Sequence, residues 1–158
     1  MTKSSDPKGL IVRTVKDGKP ILWTYVPEMP DEVERVSCPW LTVLSWRYDG
    51  SKNNGMPDIE TNRGMLELDQ ALQTLDSSKS CSEAYRRIGF DLREFVLYVA
   101  NRDDFLASLN LALATHPVYP IEIKFYEDTN WSELKTLIDD LSKAGDSRPE
   151  ASAIGKIC

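Results

Sequence analysis

The sequence has a single histidine, His116, among 158 residues. Any zinc site that needs imidazole, and any Ser-His or Cys-His nucleophile, would rest wholly on that one side chain. Cysteine is scarce too. Cys38, Cys81 and Cys158 are odd in number, widely spaced and without a CxxC pair, the usage of reduced thiols in a cytoplasmic protein rather than a disulfide framework. No apolar run approaches the roughly 18 residues needed to cross a bilayer. Neither GxxxxGK[ST] nor GxGxxG occurs, so no loop is spaced to aim successive backbone N–H groups at phosphate or a dinucleotide cofactor. A basic excess is also missing: the formal charge is −6. That balance opposes broad binding to nucleic-acid phosphates or anionic membranes and is compatible with a basic partner.

What is present has the composition of an ordinary globular chain, 41% apolar and 28% charged, at a length suited to one domain. Residues 1–8 are polar and read as a disordered leader, residues 9–144 as a single α+β domain, and residues 145–158 as a flexible tail.

Leu10–Val15 and Pro20–Val26 are β-rich runs joined through Asp17-Gly18, a hairpin signal. The proline- and acid-rich stretch Pro27–Val36 has room for one helical turn. In Trp40–Tyr48, Trp40, Thr42, Leu44, Trp46 and Tyr48 alternate with Leu41, Val43, Ser45 and Arg47, so a third strand is expected. Asp49–Pro57 is dense in turn-formers and reads as the most mobile internal segment. Met65, Leu68, Leu72 and Leu75 predict a helix over Ile59–Leu75. A weaker strand, Cys81–Gly89, precedes the strongly apolar Arg93–Ala100. Asn101 caps an expected helix Arg102–Thr115. Ile121–Tyr126 alternates, and Asn130 with Glu133 makes a plausible capping box for a last helix bearing Trp131, Leu134, Leu137, Ile138 and Leu141.

From Trp40 onward the order is strand, helix, strand, strand, helix, strand, the pattern of a ferredoxin-like split βαβ sandwich: an antiparallel sheet with helices on one face. The opening hairpin and the last helix are extras, placed to extend the sheet or to cover its second face.

The runs Asn101–Leu111, His116–Ile123 and Tyr126–Leu134, with Asn54–Pro57 leading into the first long helix, resemble the bacterial family catalogued as domain of unknown function 695. The resemblance spans roughly Trp40–Leu141. It implies a compact α/β domain in bacterial cytoplasm and transfers no catalytic residue. Such domains are sometimes joined to one resembling the regulator that inhibits ribonuclease E, which hints at a protein-inhibitory role.

His116 stands where a helix ends, a place the macrodipole favours for a cation. Cys38 and Cys81 have no cationic neighbour in sequence and read as inert buried thiols. Adjacent carboxylates such as Asp103/Asp104 point about 100° apart on a helix and do not converge on one atom. The functional alternative is an acidic surface of Glu127, Asp128, Glu133, Asp139 and Asp140, with Asn53 and Asn54 as loop contacts. It would suit an immunity- or antitoxin-like inhibitor, or a regulator, that binds a basic toxin or nuclease-like protein without enzymatic chemistry. No cofactor or metal is implied. A second reading is a small-molecule sensor or enzyme with a pocket between sheet and helices, where Arg47, Arg86 or Arg87 recognises an anion.

Overall fold

The computed structural model describes residues 9–76 and 80–146. The leader read over residues 1–8 lies outside them, as does residue 147 onward. The elements run β1 (Leu10–Lys16), β2 (Lys19–Tyr25), α1 (Glu32–Ser37), β3 (Trp40–Arg47), α2 (Ile59–Gln73), β4 (Cys81–Gly89), β5 (Leu92–Val99), α3 (Arg102–Ala112), β6 (Ile121–Glu127) and α4 (Ser132–Asp146). The strands form one antiparallel sheet in the order β1-β2-β4-β5-β3-β6. Thus β3 and β4 run the same way with β5 between them, and β5 and β6 do so with β3 between them.

Local chemistry explains the boundaries. Asp17 and Gly18 both take positive φ, 51° and 79°, as the tight β1–β2 turn requires. Carboxylates of Asp31 and Asp58 accept from the N–H groups of Glu34 and Thr61, and the Asn101 amide oxygen accepts from Asp104 N–H, so α1, α2 and α3 each start on a side-chain cap. α3 ends at Ala112 rather than Thr115. Pro117 disfavours helical backbone at the residue before it, and the chain leaves the helix through turns at Ala114 and His116. α2 likewise ends at Gln73, with Leu75 N–H held by the Leu72 carbonyl.

The expected capping box at Asn130 and Glu133 does not form. Trp131 sits one residue before α4 with φ 57°, and the Asp128 carboxylate takes the N–H groups of Ser132 and Glu133 at 2.8 and 3.0 Å. Burial of the indole decides this: Trp131 is 1% exposed and stacked on Tyr98 at 4.0 Å, its Nε1–H donating to the Cys38 carbonyl at 2.9 Å.

One apolar cluster lies under α2 and α3, where Leu44, Met65, Leu68, Phe95, Leu97 and Leu109 meet. A second lies on the other face, where Leu41, Val96 and Tyr98 meet Trp131, Leu134 and Leu141. The opening hairpin extends the sheet, and α4 covers part of its second face. In β4 the register shifts between Glu83 and Tyr85, a bulge centred on Ala84.

The 49–57 loop is held in place. Gly55 N–H and Asn53 N–H donate to the Gly50 carbonyl, Tyr48 Oη–H donates to the Gly55 carbonyl, and Asp91 receives Gly50 N–H while giving its own N–H to Gly55. Gly50 is needed for this interlock, because a Cβ there would stand 2.6 Å from Gly55.

Candidate functional site

The face carrying α4 is only partly covered, and the uncovered part is a groove of about 550 Å³. Its floor is the outward side of β3, with Leu41, Val43, Ser45 and Arg47, next to Glu94 of β5 and Tyr85 of β4. β6 supplies Glu122, Lys124, Tyr126 and Glu127 on one side, and Asp128, Ser132 and Glu133 close it at the start of α4. Strand alternation places Leu41, Val43, Ser45 and Arg47 of β3, Glu94 of β5 and Glu122, Lys124 and Tyr126 of β6 on the side away from α2 and α3, while Glu127 reaches the groove at the strand's end.

The groove is electrostatically lopsided. Glu94, Glu122, Glu127, Asp128 and Glu133 face it against only Arg47 and Lys124. Burial pushes the Glu94 carboxyl above its ordinary range. Arg87 and Arg47 pull it back only in part, and Glu133 adds to the rise. Tyr85 Oη–H donates to the Glu133 carboxylate at 3.2 Å, and burial, with Glu133 and Glu94 nearby, raises the phenol. Asp128 behaves differently. Burial would raise it, but hydrogen bonds from Glu133 N–H, Tyr98 Oη–H and Ser132 N–H outweigh that and lower it.

Of the residues singled out from sequence, the structure gathers Glu127, Asp128 and Glu133 on this groove. Asp128 is committed to the α4 cap and to Tyr98 at 2.7 Å, so its role in the groove is architectural. Asp139 and Asp140 are exposed farther along α4. Asp140, seven residues after Glu133, falls two turns on along nearly the same line. Asn53 and Asn54 lie apart. Their loop follows Arg47, whereas Glu127 pairs with Trp40 at the opposite end of β3. Asn53 Nδ2–H donates to the Pro57 carbonyl, and Asn54 holds φ 58° within the loop.

The chain matches the model of a family of unknown function, DUF695, over residues 11–137. It belongs to that family. No curated protein matches it. The matched span of this DUF695 chain contains every strand except the first residue of β1, and all of the groove.

Of the arginines of the anion-site reading, Arg47 and Arg87 both stand near Glu94 on the groove face, and Arg86 does not join them. Arg86 lies on the α2 side, bonded to Asp69 at 2.6 Å and near Glu83 at 3.6 Å. Arg87 lies on the groove face, its guanidinium 5.5 Å from the Trp23 ring and donating to the Gly89 carbonyl at 2.6 Å. Cys38 and Cys81 are buried free thiols; burial raises both, Cys81 to about 12, so neither carries thiolate at neutral pH. His116 stands past the end of α3 with Nδ1 2.7 Å from Tyr119 Oη. Among the described residues no group of three or more histidine, cysteine or acidic side chains is placed to hold a metal ion, and no helix is long and apolar enough to cross a membrane.

Sequence reasoning missed Ser45, Glu94, Glu122, Lys124 and Tyr126. Their signal was present as the polar side of the alternating strands; what it lacked was the information that α4 stops short of them.

Proposed function

We propose that this DUF695 domain is a non-enzymatic protein-binding module of the bacterial cytoplasm, an inhibitor or regulator in the manner of immunity proteins and antitoxins. Its partner on this reading is a basic protein, toxin or nuclease-like, received in the groove beside α4. One observation carries the proposal: five carboxylates against two cations on a single concave surface of an acidic chain. Such a surface steers and orients a basic partner while repelling nucleic-acid phosphate. Glu94 adds to it, because a carboxylate whose charge is under-compensated gains more from an incoming cation than one already paired. The strand order β4-β5-β3-β6, with the crossovers β3-α2-β4 and β5-α3-β6, supports reading the middle of the chain as a ferredoxin-like split βαβ unit.

The test is affinity capture by the tagged domain from the bacterium that encodes it. The expected result is one dominant basic protein, released near 1 M salt, where the screening length falls to about 3 Å. The Glu127→Lys/Glu133→Gln variant should lose it. Capture that survives this variant, or no stoichiometric protein at all, rejects the groove as the docking surface. The small-molecule reading draws on the groove's volume, which lies in the range of ligand sites. A metabolite that raises the melting temperature of the wild type but not of Glu94→Gln would favour it.

A further inference from the structure

We infer that the outer edge of β6 is a docking strand for an extended segment of the partner, one that alternates polar and apolar residues with arginine or lysine at its ends. The inference rests on the acidic-groove reading and adds the backbone chemistry of the contact.

β6 is an end strand: it pairs with β3, and among the described residues no strand pairs with its other side. The direction of its peptide groups follows from two hydrogen bonds. Asp128 N–H donates to the Pro39 carbonyl, which fixes Asp128 as a residue whose backbone points toward β3. In an antiparallel ladder this orientation alternates, so Tyr126, Lys124 and Glu122 also point toward β3, and Glu127, Phe125, Ile123 and Ile121 point outward. Ile121 agrees, because its N–H turns back to the Tyr119 carbonyl instead of entering the ladder. The N–H and C=O groups of Ile123, Phe125 and Glu127 are thus presented at the edge.

Edges are ordinarily blunted by proline, bulges, shortness or inward charge. β6 has seven residues, no proline and no register shift against β3. Its one lysine, Lys124, lies 3.8 Å from Glu122.

Side-chain chemistry then defines the occupant. An added strand alternates between two environments. On the groove side it meets Glu122, Lys124 and Tyr126 in turn, and on the other side the half-buried Ile123 and Phe125, the latter edge-on to Phe105 at 6.4 Å. Cations suit the positions beside Glu122 and the Tyr126 ring, a neutral or acidic residue suits the position beside Lys124, and apolar residues suit those beside Ile123 and Phe125.

The probe is a capped Arg-Val-Ser-Val-Arg peptide, added antiparallel to β6 as the strands of this sheet add to one another, so that each valine exchanges its N–H and C=O bonds with Ile123 or Phe125. Titrated into the protein at low salt, it should slow hydrogen exchange at the Ile123, Phe125 and Glu127 amides, as seen by NMR. N-methylation of both valines, which deletes the donors facing Ile123 and Phe125, should weaken binding at least about tenfold. Replacing the serine by lysine, or introducing Glu122→Lys into the protein, should weaken it as well. Equal binding by the N-methylated peptide overturns strand addition. If Glu127→Lys/Glu133→Gln still weakens that peptide, the acidic groove stands without the strand. Absence of binding to about millimolar overturns strand addition, leaving the groove to be decided by capture.

Discussion

Beneath α2 and α3, the β5 side chains Phe95, Leu97 and Val99 are at most 1% exposed. On the reverse of the same strand Val96 and Tyr98 are equally buried, but only where α4 lies over them, and Glu94 stands in an open groove. Polar groups differ in number. On the α2 side two carboxylates, Asp69 and Glu83, share Arg86 at 2.6 and 3.6 Å, whereas five carboxylates line the α4 side against two cations. One sheet therefore has a face covered by α2 and α3 and a face that α4 covers only in part. The difference lies in helix coverage more than in strand hydrophobicity.

The strongest test of that contrast removes one anchor from each face. Trp131→Ala should cost about 3–5 kcal/mol, and Leu109→Ala about 2–5 kcal/mol, in urea denaturation. Ile123→Ala, half-exposed on β6, should fall below both. A loss under about 1 kcal/mol for Trp131→Ala would make α4 an accessory, and the two faces would differ far more than described here.

Next in size is the α4 cap. Asp128→Ala should cost about 0.5–2 kcal/mol at neutral pH. Because the Asp128 carboxyl is held below its usual 3.8, its contribution is complete above that value and fades as pH falls through the lower folded value. The deficit of Asp128→Asn, followed by denaturation against pH, should shrink in that acid range.

Glu94 has the opposite sign. Its folded carboxyl titrates above the usual 4.5, so the native state takes up a proton first, and stability contributed by this site rises as pH falls from neutral toward 4.5. Glu94→Gln should therefore compare best with wild type at neutral pH and worse near 4.5. A gap independent of pH would mean that Arg87 and Arg47 fully compensate the Glu94 charge.

The smallest effect is expected from Asp139→Lys/Asp140→Lys. Both side chains are exposed, so stability should stay within about 0.5 kcal/mol, while a basic partner should bind more weakly. Unchanged affinity would confine the docking surface to the groove.

Much of this was legible in the sequence. The alternation of Trp40–Tyr48 and Ile121–Tyr126, the run Arg93–Ala100 and the cap at Asn101 are local signals, and the structure honours them. The failures share a cause. Asn130 and Glu133 satisfy a local capping rule, but the distant demand to bury Trp131 against Tyr98 reshaped that turn and gave the cap to Asp128. The 49–57 loop has turn-former composition, yet Asp91, far along the chain, fixes it. For the site, Glu127, Asp128 and Glu133 are close in sequence and meet, whereas Glu94 and Glu122 look in one dimension like the solvated side of a strand. Only the extent of α4 separates a groove from a surface.

The bulge at Ala84 has a consequence for how the family can vary. Within a regular strand, gaining or losing one residue inverts every side chain beyond it, and here that would exchange Arg86 and Arg87 between the two faces. β4 already carries one residue more than β5 opposes: Glu83 pairs with Leu97 and Tyr85 with Val96, with Ala84 between them. Omitting Ala84 leaves Arg86 with Asp69 and Tyr85 with Glu133. Position 84 is thus where a relative of this chain can be one residue shorter without rewriting the sheet, and an alignment gap elsewhere in β4 would mark a relative whose faces have been rebuilt.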